Sequence, residues 1–287
     1  MDKIYKMAEG EALDVSAVAF GNARMSGYLS SFKGKRIMLY GDSIFSTDYS
    51  WLKESLQTIT GADDVYNGGI SGASASQLAQ ASSLARALDY APDICIVMVG
   101  GNDSGTSGTM GTFGLSHALS GEQLKDLPNI SQSYGGSSFI ESVAYIANYL
   151  SYHIGGFRRN AYEDGLCENV GATLSSNALD NVSKPLVILC TPLPQQRSDE
   201  NNAFSQPLNN ARKAEAVREV AKMCNIPLLD LSVLCGFSRL NEPFWTSPTN
   251  TSQNKGTYTM DGLHPNKYGY ERIAKLILHF ISQYTID

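Results

Sequence analysis

Apolar residues gather along this chain into five short runs, separated by longer stretches of periodic or polar character. RIMLY spans residues 36–40 and stops at Gly41, and DVYN ends at Asn67. ICIVMVG covers Ile94 to Gly100, LVILC covers Leu186 to Cys190, and IPLLDL covers Ile226 to Leu231. Runs of this length without strict polar alternation suit strands buried on both faces, as a parallel sheet requires. Helical spacing appears between them. Phe139, Val143, Ile146, Ala147 and Leu150 keep it, as do Ala214, Val217, Ala221 and Cys224. In the last segment Ile273, Leu276, Ile277, Phe280 and Ile281 form one stripe, with Glu271, Arg272, Lys275 and Gln283 opposite. The alternation predicts an α/β domain with a doubly wound, mainly parallel five-stranded sheet. Such sheets take their ligands at the carboxyl ends of the strands.

The pattern also predicts the domain organisation. Residues 1–35 read as an N-terminal extension and residues 36–287 as one domain carrying three insertions. The first, near 104–138, is half Gly, Ser and Thr, with Gly105, Gly108, Gly111 and Gly114 three apart. Four glycines are too few for a collagen-like repeat, so this reads as a loop. The others lie near 155–184 and 236–260.

Composition narrows the function classes. A chain of 287 residues with 43% hydrophobic and 17% charged residues buries a sizeable core and is neither disordered nor fibrous. Its net charge of −6 argues against a nucleic-acid partner. No run approaches 18 apolar residues, so no membrane span is expected. The opening MDKIYKMAEGEALDVSAVAF lacks a basic segment followed by a long apolar one, so no signal peptide is visible, which leaves the compartment open. The five cysteines are scattered, and Cys95 and Cys190 read as small core residues. The four histidines do not cluster with them, so no metal site is expected.

Four motifs stand at or beyond strand ends: Gly41-Asp42-Ser43-Ile44, Asn67-Gly68-Gly69-Ile70-Ser71-Gly72, Gly100-Gly101-Asn102-Asp103 and Asp261-Gly262-Leu263-His264-Pro265-Asn266. Each alone is ordinary turn chemistry; their joint placement at one end of a sheet is not. A serine hydroxyl needs a base to become nucleophilic, and imidazole titrates in the right range. Asp261, three residues before His264, can meet the ring Nδ1 in a turn and leave Nε2 for Ser43. That predicts a Ser43–His264–Asp261 triad. The backbone N–H groups of Ser43 and Gly69 and the amide of Asn102 are the candidate oxyanion donors.

These residues resemble a known family. Ser43, Gly69, Asn102 and His264 match the four invariant residues of the SGNH hydrolases, the GDSL-like lipase/esterase family. GDSI resembles its GDSL block, with Ile44 for Leu; GGND and DGLH resemble its G-x-N-D and D-x-x-H blocks. The resemblance spans residues 36 to about 285. It implies a flavodoxin-like three-layer α/β/α sandwich, no cofactor, and ester or thioester hydrolysis through an acyl-enzyme.

Other polar residues have plainer readings. Asp42 shapes its turn or caps a helix, Asp103 braces the loop that holds Asn102, and Tyr268 and Tyr270 pack at the start of the last helix. His279 is solvated, His153 suits a helix end, and His117 lies in the Gly-rich insertion. The substrate reading is a short acyl ester, most simply acetyl, on a carbohydrate. The first insertion lacks a contiguous apolar run for a fatty chain. Phe244, Trp245 and Tyr258 could stack on sugar rings, or could merely pack their loop. Within the same family, a lipid esterase, lysophospholipase or thioesterase is the alternative. A flavodoxin-type FMN binder would leave Asp261 and His264 without a task, and a metallophosphoesterase would need more histidines. A non-catalytic carbohydrate-binding or phage module on a hydrolase fold would not need its catalytic residues intact.

Overall fold

The computed structural model describes residues 32–103, 110–111, 138–152, 185–195, 209–237 and 257–284. Residues 1–31 and most of the three insertions lie outside these, and with them His117, His153, Cys167, Phe244 and Trp245. The described strands are β1 (Arg36–Gly41), β2 (Asp64–Asn67), β3 (Ile94–Met98), β4 (Leu186–Cys190) and β5 (Leu228–Leu229). They form one sheet in the order β2-β1-β3-β4-β5, with every neighbouring pair parallel. Leu39 stands opposite Asn67 on one side and Ile96 on the other.

Seven described α-helices accompany the sheet: α1 (Trp51–Thr60), α2 (Ala75–Leu78), α3 (Ala81–Tyr90), α4 (Phe139–Tyr152), α5 (Asn210–Met223), α6 (Leu231–Leu234) and α7 (Lys267–Ile281). Alternate strand residues face two separate cores. Met38, Tyr40, Cys95, Val97, Val187 and Leu189 pack with residues of α2, α3, α4 and α5. Ile37, Leu39, Ile94, Ile96, Met98, Ile188 and Cys190 pack with residues of α1, α6 and α7. This is the three-layer α/β/α sandwich. Strands β1, β3 and β4 are apolar on both faces, which is why their sequence does not alternate. The strand order reverses between β1 and β3, the switch point at which sheets of this kind hold a crevice outside their carboxyl ends.

The expected boundaries shift in places. The third strand ends at Met98 rather than Gly100, where the backbone turns at φ +118°. The fifth is two residues long rather than six. Pro227 has no N–H to donate to a ladder, and Leu231 already begins α6. Helices α1 and α3 fall where the sequence pattern predicts none. The buried stripe of α1 is only Leu52, Leu56 and Thr60, one residue per turn.

Tyr270 lies fully buried in α7, as expected, whereas Tyr268 is 69% exposed and does not pack. Residues 267 to 269 form the first turn, so 268 and 270 point to different sides of the helix. His279 is exposed. Ile273, Ile277 and Ile281 lock α7 into the second core, at roughly 1.5–3 kcal/mol per fully buried side chain. That anchorage fixes the loop leading into α7.

Candidate active site

Ser43 opens a single 3-10 turn (Ser43–Phe45) directly beyond β1. Asp42 caps this turn, its carboxylate accepting from Ile44 N–H at 3.1 Å. The same carboxylate accepts from Gly101 N–H at 2.9 Å, tying the β1 turn to the loop after β3. Burial pushes the Asp42 carboxyl above the usual range, opposed by these two N–H groups and by the charges of His264 and Lys213. Ser43 itself is 8% exposed.

His264 arrives from the far end of the chain. Its loop is closed by a bridge between Thr259 and Pro265, and Met260 N–H donates to the His264 carbonyl at 2.9 Å. Asn266 caps α7 by accepting from Gly269 N–H. Within the loop Asp261 Oδ1 accepts from Leu263 N–H at 2.9 Å and His264 N–H at 2.7 Å. Its Oδ2 lies 2.8 Å from His264 Nδ1. Burial alone would raise this carboxyl. The bonds from the His264 ring and backbone, and from Leu263, outweigh it and hold Asp261 below the ordinary value.

Across the crevice His264 Nε2 lies 3.0 Å from Ser43 Oγ. With Nδ1 donating to Asp261, Nε2 is the acceptor for the serine proton. Ser43, His264 and Asp261 therefore form one continuous chain of hydrogen bonds. Tyr49 leans against the imidazole at a ring separation of 5.3 Å, and Trp51 and Tyr270 pack around Tyr49. The Tyr270 hydroxyl donates to the Ile44 carbonyl at 3.0 Å, so α7 holds the Ser43 turn as well as the His264 loop.

The expected oxyanion donors divide. Ser43 N–H meets no acceptor among the described residues. Asn102 is half-buried beside the crevice, and its Nδ2 donates to the Ala73 carbonyl at 3.1 Å, which leaves it a second N–H. Gly69 does not fit its expected part, because its N–H is spent on the Phe45 carbonyl at 3.1 Å. Gly69 serves close packing instead: a Cβ there would stand 2.4 Å from the Asp42 carbonyl oxygen. Three residues on, Gly72 is exposed, has φ +77°, and its N–H has no acceptor among the described residues. It adjoins Ala73, whose carbonyl Asn102 holds. The sequence reading missed Gly72. The signal was the third glycine of the same motif, the one followed by a helix start at Ser74.

Asp103 braces its loop, as expected, by accepting from Ala75 N–H at 3.1 Å. Tyr258 packs within its own loop. Its ring stacks on Phe237 at 5.4 Å, with the Arg272 guanidinium 5.6 Å from its centroid. Tyr49, which the sequence pattern did not single out, is an aromatic whose ring lies against His264. Among the described residues no group of three or more His, Cys, Asp or Glu side chains is arranged to hold a metal ion. No described helix is long and apolar enough to cross a membrane.

The model of the GDSL-like lipase/acylhydrolase family matches residues 39–272. No curated protein matches the chain. Among solved structures, a protein from Lactobacillus plantarum is similar over 88% of this chain and 98% of its own, at 18% identity and a TM-score of 0.51. A possible lipase from Chitinophaga pinensis DSM 2588 is similar over 88% of this chain and 100% of its own, at 16% identity and a TM-score of 0.50. At such identities the likeness extends to the fold.

Proposed function

The chain belongs to the GDSL-like lipase/acylhydrolase family and is an ester hydrolase, and on that premise we propose how its residues divide the reaction and which ester they cleave. Ser43 Oγ attacks the ester carbonyl carbon while His264 Nε2 takes the hydroxyl proton. The C=O electron pair moves onto the carbonyl oxygen. Ser43 N–H, the free N–H of Asn102 and the Gly72 N–H receive that oxyanion. The tetrahedral adduct collapses, and His264 returns the proton to the departing alcohol. Water then repeats the sequence on the acyl-serine and releases the acid. Asp261 stays ionised throughout, fixes the imidazole tautomer and steadies its transient positive charge. The observation that carries this reading is the pair of contacts on one imidazole, 3.0 Å to Ser43 Oγ and 2.8 Å to Asp261 Oδ2.

The acyl group is short, most simply acetyl, and the alcohol is a carbohydrate. Two features support this. The Gly- and Ser-rich segment 104–138 offers no contiguous apolar run for a fatty chain. The half-buried Tyr49 ring, stacked with Trp51, stands beside the base, where an aromatic face suits a sugar ring. The test is a p-nitrophenyl ester series from C2 to C10, run beside acetylated oligosaccharides. Highest kcat/KM at C2, with release of acetate from a sugar, is expected. A kcat/KM that climbs with chain length, without sugar deacetylation, replaces this reading with a lipid esterase.

A further inference from the structure

A lysine fully buried on a helix stripe stands out against the rest of the molecule. Lys213 is 0% exposed, on α5, where it continues the apolar line of Val217, Val220 and Ala221 at helical spacing. Its place is unfavourable twice over. An ammonium loses its hydration on burial, and the first turn of a helix repels a cation through the macrodipole. Such a group persists only where its surroundings supply acceptors and negative charge.

Those surroundings are the loop after β3. Lys213 Nζ donates to the Gly100 carbonyl at 2.5 Å and to the Asp103 carbonyl at 3.1 Å. The two carbonyls bracket Gly101 and Asn102. The Asp42 and Asp103 carboxylates both feel its charge. The rest of the loop is held by Asp42 at Gly101 N–H, by Gln195 at the Gly101 carbonyl and by Ala75 N–H at the Asp103 side chain. Lys213 is thus the tie that reaches the loop from α5 and draws both its ends to a single point. An amide that must meet an oxyanion needs its backbone held to a fraction of an ångström.

We propose that Lys213 is a positioning residue for the oxyanion hole: by clamping the Gly100 and Asp103 carbonyls it sets where the Asn102 amide stands. This rests on the reading of Asn102 as an oxyanion donor. The clamp acts on an interaction made in the transition state, so its loss lowers kcat and leaves KM nearly unchanged.

The experiment is a double-mutant cycle on p-nitrophenyl acetate hydrolysis, with Lys213→Met and Asn102→Ala made singly and together. Lys213→Met should lower kcat roughly 10- to 100-fold, with KM within about twofold of wild type. In the Asn102→Ala background the same change should cost at most about a third of that factor on a logarithmic scale, because the amide it positions is gone. If Lys213→Met does not fold, Lys213→Arg, which keeps the charge with a different donor geometry, completes the same cycle. It should give a smaller kcat loss that again shrinks when Asn102 is absent. An equal loss in both backgrounds, or a loss confined to melting temperature, overturns the proposal. If Asn102→Ala leaves kcat unchanged, the oxyanion reading fails instead, and the two failures are told apart by that single variant.

Discussion

The two sides of the crevice are built on opposite principles. The His264 side is local: within Thr259–Asn266 a single aspartate accepts from two backbone amides and one imidazole, all three residues or fewer away. Its carboxyl is held below the usual range by those bonds. The Ser43 side is assembled from distant parts. Asp42, Asp103 and Lys213 come from three separate segments and tie the loops after β1, β2 and β3 together. Here burial dominates, and it pushes the Asp103 carboxyl up to about 6 against the pull of Lys213 and the Ala75 amide. A short loop satisfies a charge with its own backbone. A site spread over three loops does so only by burying charges against one another, and accepts a loss of stability for fixed geometry.

The largest expected effects break the chain that joins the two sides. Ser43→Ala should lower p-nitrophenyl acetate turnover by roughly 10³-fold or more and abolish labelling by a fluorophosphonate. Retained turnover in a clean preparation would remove Ser43 from its role. His264→Ala should approach the same loss. Asp261→Asn should cost less, since the aspartate orients the base without carrying the proton. An Asp261→Asn defect equal to that of His264→Ala would give the carboxylate a larger part.

Next in size is the proposed oxyanion side. Asn102→Ala should lower kcat by about 10²- to 10³-fold with little change in KM. A rise in KM alone would make Asn102 a ground-state contact. The two glycines of the second motif sharpen the comparison further. Gly69→Ala drives a Cβ to 2.4 Å from the Asp42 carbonyl oxygen, and should cost about 1–3 kcal/mol of stability by denaturant melting. At Gly72 a Cβ meets nothing within 4 Å among the described residues and the positive φ resists it, so Gly72→Ala should cost about 1–2 kcal/mol. A larger loss at Gly72 than at Gly69 would reverse their assigned parts.

The smallest effect distinguishes the two kinds of carboxylate by pH. Asp103 keeps its proton in the folded protein up to about pH 6, above the unfolded value. Its contribution to stability is therefore complete below the ordinary aspartate range and is lost as pH rises through about 6. Asp261, held low, contributes stability above that range and loses it as pH falls. Asp103→Asn keeps an acceptor for Ala75 N–H and removes the charge. The melting temperature of the variant relative to wild type should therefore rise between about pH 4.5 and 7.5. A flat difference would mean that Asp103 titrates as it does in the unfolded chain.

How much of this was legible in the sequence follows the same division. The layered α/β class was carried by the apolar runs, because a strand buried on both faces has no polar alternation to show. The Asp261–His264 pairing was carried by a three-residue spacing, because a turn brings such neighbours together whatever surrounds it. The place of Ser43 just beyond the first strand followed from where the RIMLY run stops. The fifth strand was over-read because apolar content does not reveal that Pro227 cannot donate.

What only the tertiary structure decided is which groups remain free to act. Gly69 and Gly72 look alike in the chain, and a carbonyl of Phe45 takes the N–H of one and leaves the other. Tyr258 and Tyr49 are both aromatic residues near a motif, and packing turns one to Phe237 and the other to His264. Lys213 lies on an apolar helical line where its charge looks out of place until Gly100 and Asp103 are brought to it across more than a hundred residues. Local spacing determines who meets a near neighbour. Competition for a donor, and the burial of a charge, depend on partners remote in the chain, and the fold alone supplies them.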